Sequence, residues 1–331
     1  MAKLQLSLIM SPNDRSTPLL DGTVQPEGID LTTTSSNPGE IFWRQLHAAE
    51  FDVSEMSLSS LYIVTAKGNS PWVAIPVFPI RRFFHTEIFV RADAGIERPE
   101  DLKGKRVGVP EYQQTAALWT RGALQHEFGV RPEDMRWYME RTPETSHGGA
   151  TGFQPPPGVD FQYIPSEKNI GQMIVDGELD ATAFYAGHAN LVDRSSIDLA
   201  RHPKARRLFP DPAAEAVRYF EKTGIQPINH TVVIRREIVE RHPWVAMNLY
   251  QAFLEGKEAV RARALELADP YFRCGYLPRE ARGAFAKDPY PYGIQANRKV
   301  LETVAEYSHE QGLTPRRVAI EEVFAPSTLA V

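Results

Sequence analysis

The segment Pro99-Glu100-Asp101-Leu102-Lys103-Gly104-Lys105-Arg106-Val107-Gly108-Val109 decides how this chain folds. Proline opens a helical turn, Gly104 breaks it, and Arg106–Val109 reads as a short apolar strand. A helix follows, with Ala116, Trp119, Ala123, Leu124 and Phe128 as its apolar stripe and Gly129 as its stop. Before the segment, Glu87–Arg91 reads as another strand. Strands alternating with helices imply a mainly parallel sheet covered on both faces.

The same alternation extends towards the N-terminus. Leu4–Ile9 alternates as a strand, and Pro26-Glu27-Gly28 turns into a second at Ile29–Leu31. A helix over 38–50 carries Ile41, Phe42, Leu46 and Ala49 on one side. Then come a strand at Phe51–Met56, a helix at Ser57–Ala66 and an apolar strand at Trp72–Phe78. Towards the C-terminus, residues 142–159 are rich in glycine and proline and predict an exposed loop. Beyond it, Ile170–Asp176 predicts a short helix and Ala181–Tyr185 a strand. The last third is mostly helical, with apolar stripes at Val245, Leu249, Ala252 and Phe253 and at Val300, Leu301, Val304 and Tyr307.

At 331 residues the chain is long enough for two cores. The pattern predicts a discontinuous layout: lobe one from 1–86 plus 235–331, and lobe two from 87–234. The crossovers fall near Thr86–Val90 and Thr231–Ile234, with a ligand cleft between the lobes. A net charge of -5 without a basic stripe excludes a nucleic-acid partner. The single cysteine, Cys274, excludes an internal disulfide and a cysteine zinc cluster, and is expected to be a buried small residue. No run approaches the ~20 apolar residues of a membrane span. The alternating, polar start is no signal-peptide core, so a cytoplasmic protein is expected. A homo-oligomer is left open.

Recognition adds to this reading. The stretch DLKGKRVGV (101–109) resembles the start of lobe two in the type II periplasmic-binding-protein-like fold. More specific are PLLDGTVQPEGIDL (18–31), FDVSEMSLSSL (51–61), PVFPIRRFFHTEIFVR (76–91), GKRVGVPEYQQTAALWTRGAL (104–124), GIQPINHTVVIRR (224–236) and DPYPYGIQANRKVLE (288–302). Together they resemble the 4,5-dihydroxyphthalate decarboxylases along nearly the whole chain. The resemblance implies loss of one carboxylate from a dihydroxylated phthalate, giving protocatechuate. A non-catalytic small-anion-binding protein, and a metal-dependent enzyme on the same fold, are the alternatives, because one architecture hosts many functions.

Breaking an aryl–CO2 bond demands a proton at the carboxylated ring carbon, and a hydroxyl para to it supplies electron density. No organic cofactor is needed in principle; the protein must hold a dianion and deliver a proton. For the dianion, Arg81 and Arg82 lie at the expected lobe junction, where a guanidinium fork matches a carboxylate; the plain alternative is a solvated basic pair. Ser57, Ser59 and Ser60 open a helix after a strand, either as an anion site or as an ordinary N-cap. Glu111, Tyr112, Gln113 and Thr115 occupy the equivalent position in lobe two, where an acidic first turn can also simply complement the helix dipole. For the proton, histidine is favoured. His85 and His230 sit at the predicted crossovers, and His188 is expected to end a lobe-two strand. His147, in the glycine-rich loop, is a weaker candidate. His85, His188 and His230 together also define the alternative of a divalent metal chelating a catechol, although no local ligand motif marks it.

Overall fold

The computed structural model describes residues 2–68 and 70–331. The first third runs β1 (Leu4–Met10), α1 (Thr17–Leu20), β2 (Ile29–Ser35), α2 (Pro38–Ala48), β3 (Val53–Ser57), α3 (Leu58–Ala66) and β4 (Trp72–Ile75). The middle continues with β5 (Phe89–Arg91), β6 (Arg106–Val109), α4 (Thr115–Phe128), β7 (Arg136–Met139), α5 (His147–Thr151), β8 (Asp160–Tyr163) and α6 (Ile170–Asp176). Then follow β9 (Ala181–Thr182), β10 (Ala205–Arg207), α7 (Pro212–Thr223), β11 (His230–Arg235) and α8 (Arg236–Arg241). The chain ends through α9 (Trp244–Arg273), α10 (Arg282–Ala286), α11 (Arg298–Glu310) and α12 (Ile320–Val323).

The strands form two mixed sheets, ordered β2-β1-β3-β11-β4 and β10-β5-β9-β6-β7-β8. β1 pairs in parallel with β2 and β3, while β11 runs antiparallel between β3 and β4. In the second sheet β9, β6, β7 and β8 are parallel, and β5 runs antiparallel to both of its neighbours, β9 and β10. Parallel pairing puts the C-terminal ends of β1, β2 and β3, and of β6, β7, β8 and β9, on one side of their respective sheets, and antiparallel β11 begins there. Ligands of open α/β sheets lie on that side.

The chain passes between the sheets twice, after β4 and before β11. These two passages touch: Arg81 and Ile228 form an antiparallel bridge, and Arg82 N donates to Pro227 O. β11 lies in the first sheet from His230 onward, so a boundary drawn at 234/235 falls inside a strand of that sheet. The strand was ambiguous because its apolar run, His230–Ile234, is buried throughout and suits either lobe equally.

Helix packing fixes the lobes' relative placement. α3 is buried on nearly all sides and packs against α4 and α11. At the α4–α11 crossing, a Cβ on Gly122 would stand inside the van der Waals envelope of the Tyr307 ring, so only glycine permits this approach. Two expectations fail. Segment 142–159 is not a plain exposed loop: it contains α5, and Ser146, His147 and Thr151 are buried. Ser146 Oγ accepts from Gly148 N and starts the helix, which packs on α2 and α3. Cys274 is exposed rather than buried, because it follows the last turn of α9, away from the sheets. No helix among the described residues is long and apolar enough to cross a membrane.

Candidate active site

A cavity of about 240 Å³ lies between the sheets, floored by the touching passages at Ile80, Asn229 and His230. Phe42, Phe84 and Phe184 make its apolar walls. Three helices begin at its edge: α2 at Pro38 and Gly39, α3 at its N-cap Ser57, and α4 at Gln114, Thr115 and Ala116. Helix N-termini carry partial positive charge, and first-turn amides have no helical acceptor, so the edge suits an anion. Part of this capacity is already committed. Leu58 N donates to Asn229 O, Ser59 N to Thr115 Oγ1 at 2.9 Å, and Gly39 N to Asn37 Oδ1.

The best-ordered chemistry on the cavity surface is a carboxylate–imidazole pair. β11 and β3 pair with His230 opposite Ser57, so Glu55, two residues away along β3, shares the face of His230. Glu55 Oε1 lies 2.5 Å from His230 Nδ1. Its other oxygen accepts from Ser11 N at 2.7 Å and Ser11 Oγ at 2.6 Å. Glu55 is fully buried, and these donors hold it as an acceptor, so Nδ1 of His230 carries its proton. The free nitrogen, Nε2, lies 2.8 Å from the Asn229 carboxamide. By turning over, that amide serves both ring states: Nδ2 donates to the neutral ring, and Oδ1 accepts from the protonated one. Phe42 packs edge-on against the His230 ring with centroids 4.7 Å apart.

A second buried cluster stands on the lobe-two wall. Arg141 forks Asp193, with Nε–Oδ1 at 2.8 Å and Nη2–Oδ2 at 3.0 Å. Its Nη1 lies 3.0 Å from His147 Nε2 and 3.8 Å from Glu111 Oε2. Arginine only donates, so His147 Nε2 must be the unprotonated nitrogen; the longer 3.4 Å contact of the same atom to Gly39 O cannot outweigh this. Burial, with Arg141 adding to it, holds the His147 imidazole well below its usual range. Burial also pushes Glu111 up to about 7, against the opposing pull of Arg141, Ser146 Oγ and His147 N–H.

The sequence candidates divide accordingly. His230, His188, Arg82, Ser57 and Thr115 line the cavity. His188 does so from an exposed loop, because β9 ends at Thr182 rather than reaching it. Arg82 is exposed at the mouth and paired with Glu87. Ser57 makes no side-chain cap; its Oγ bonds Thr115 Oγ1 at 2.9 Å instead, joining the two lobes. The weaker candidate His147 lines it as well, and the remaining candidates do not. His85 is buried against Phe209 and Tyr219 and bonds Glu215, because its passage turns the ring towards α7. Arg81 is spent on Gln226 O, Pro291 O and Asn297, tying the passage to the C-terminal segment. Ser59 Oγ donates to Gln113 O, and Ser60 is buried among the α3 contacts. Glu111 lies behind Arg141, Tyr112 packs against Trp137 beneath Arg121, and Gln113 accepts from Thr151. His85, His188 and His230 do not converge, and no group of three His, Cys, Asp or Glu among the described residues could hold a metal ion. Sequence reasoning missed Glu55, Arg141 and Asp193. Only Glu55 left a signal, as an acidic residue inside a strand otherwise fit for burial.

Comparison with known proteins places the fold and the family. Residues 40–243 match a family model described as the ABC transporter phosphonate periplasmic substrate-binding protein. Among solved structures, the periplasmic aliphatic sulphonate binding protein of Escherichia coli superposes with a TM-score of 0.57 at 14% identity, covering 98% of this chain and 92% of that one. The alkanesulfonate-binding protein of Xanthomonas axonopodis pv. citri gives 0.56 at 15% identity, covering 98% of each. The chain is thus a two-lobed α/β protein of the periplasmic-binding-protein fold. Its sequence is 36% identical over 332 residues to a 4,5-dihydroxyphthalate decarboxylase of Comamonas testosteroni, covering 99% of this chain and 98% of the relative. It is 39% identical over 221 residues to the Pseudomonas putida enzyme of that name, covering 66% of this chain and 83% of the relative. The chain belongs to the 4,5-dihydroxyphthalate decarboxylase family.

Proposed function

We propose that this chain is a carboxy-lyase that converts 4,5-dihydroxyphthalate to 3,4-dihydroxybenzoate and CO2 in the cavity between its sheets. The observation that carries the reading is the Glu55–His230 pair on the cavity floor of a chain aligned end to end with decarboxylases. The ring sits between the walls of Phe42, Phe84 and Phe184, and the helix N-termini at the edge face its negative charge. A hydroxyl para to the carboxylated carbon pushes electron density into the ring. His230 Nε2 delivers a proton to that carbon, forming the C–H bond. The C–C bond to the carboxylate then breaks, its electron pair restores the aromatic ring, and CO2 leaves. Glu55 fixes the tautomer and orientation of His230, and Asn229 accommodates the proton's departure and return. No organic cofactor takes part in this scheme, and the proton is the only co-reactant. A cytoplasmic site of action fits the exposed free thiol of Cys274.

The test is to incubate metal-stripped protein with 4,5-dihydroxyphthalate and measure CO2 and 3,4-dihydroxybenzoate. Turnover without added metal is expected. Tight binding without turnover, with or without a divalent ion, would instead make the chain a binding protein.

A further inference from the structure

The cavity is lined by two arginines in unlike states. Arg82 is exposed at the mouth and held by Glu87. Arg141 is 4% exposed and immobilised from several sides. Its neighbour Glu140 is buried and accepts from Ile170 N, Arg194 N, Ser195 N and Ser195 Oγ, which pins the 190–195 loop to the end of β7. Arg141 then forks Asp193 in that same loop, and Asn190 Nδ2 holds Asp193 Oδ2 at 3.0 Å. Space for the guanidinium exists because residue 39 is glycine: a Cβ there would stand 2.8 Å from Arg141 Nη2.

A guanidinium has five N–H donors. Nε and one hydrogen of Nη2 go to Asp193, and one hydrogen of Nη1 goes to His147. One hydrogen on each Nη remains uncommitted, on a residue that lines the cavity. Two adjacent N–H groups of a fixed fork match the two oxygens of a carboxylate.

Resting on the reading above, we infer that Arg141 anchors the carboxylate that the substrate keeps, with Asp193 as its positioning residue. The choice between the two ortho carboxylates follows from the chemistry. An ion pair with the departing carboxylate is strongest in the ground state and weakens as that group becomes neutral CO2, which would raise the barrier. A pair with the retained carboxylate stays constant through the reaction and orients the ring. His230 stands on the opposite lobe, so the carboxylate beside it is the one lost. The product keeps its carboxylate on Arg141 and therefore inhibits competitively through the same fork.

The experiment compares wild type, R141K and D193N, each first shown to melt cooperatively. It measures KM and kcat for 4,5-dihydroxyphthalate, and inhibition by 3,4-dihydroxybenzoate and by catechol, which has no carboxylate. R141K keeps the charge and loses the fork. Its KM and its Ki for 3,4-dihydroxybenzoate are expected to rise about 10- to 100-fold, the worth of a charge-assisted hydrogen-bonded pair, with kcat and the catechol Ki little changed. D193N shifts KM and the 3,4-dihydroxybenzoate Ki the same way by less, and decides the matter if R141K does not fold. Equal shifts for catechol and 3,4-dihydroxybenzoate, or a fall in kcat at constant KM, would overturn the assignment. Absence of turnover by wild type would sink the decarboxylase reading itself, whereas turnover with unselective variants would sink only the role of Arg141.

Discussion

Replacing Glu111 by glutamine should change how stability depends on pH. The Glu111 carboxyl is fully buried and titrates at about 7 in the fold, against 4.5 for an ordinary glutamate. Below pH 4.5 the group is protonated in both states and its contribution is fully present. Between 4.5 and 7 the unfolded chain has released a proton that the native state retains, so stability falls as pH rises through that window. A difference of 2.5 pH units corresponds to about 3 kcal/mol. At roughly 2.1 cal/mol/K per residue, unfolding 331 residues carries an entropy of about 0.7 kcal/mol/K, so the effect amounts to about 4 °C in Tm. Other groups, His147 among them, titrate nearby, so the informative quantity is the difference between two proteins. Melting wild type and E111Q from pH 4 to pH 8 should show wild type losing about 4 °C relative to the variant. The constant cost of the substitution cancels in that comparison. Parallel curves across the range would mean that Glu111 is already ionised in the fold, and the account of its burial would be wrong.

Replacing His230 by glutamine should lower kcat by roughly 10²- to 10⁴-fold, the usual worth of a positioned proton donor, while substrate still binds in a thermal-shift assay. E55Q should act in the same direction through loss of the fixed tautomer; full turnover by both variants would remove the pair from the chemistry. H85A should destabilise the fold by about 1–3 kcal/mol, measured by urea titration, yet leave turnover intact, because His85 packs against Phe209 and Tyr219 away from the cavity. G122A should cost about 1–3 kcal/mol by overpacking against Tyr307, seen as a lower Tm with unchanged KM.

The fold was legible wherever the chain's periodicity was unambiguous. The turn, glycine break and strand at 99–109, and the helix after them, are where the pattern puts them. Of the site, the residues at strand ends could be read. Ser57, Thr115 and His230 follow from the rule that ligands gather at the ends of strands. His85 and Arg81 met the same rule yet turn away from the cavity, because a position near a crossover does not fix the rotation of a side chain. His147 was read only as a weaker candidate, for another reason, and Arg141 just before its segment left no signal. The glycines and prolines of 142–159 look like a solvated loop, but the segment folds into α5, which packs on α2 and α3. Asp193 carries no local signal, since its role exists only once β7 brings Arg141 alongside.

The Glu55–His230 pair lies wholly within one sheet, on hydrogen-bonded neighbouring strands, while Arg141 and its supporting loop belong to the other. Division of labour between the halves has an evolutionary consequence. On the proposed roles, the half holding His230 can stay constant while the loops of the other half change which anion is admitted. If His230 is the proposed acid, new substrates can therefore be sampled without rebuilding it.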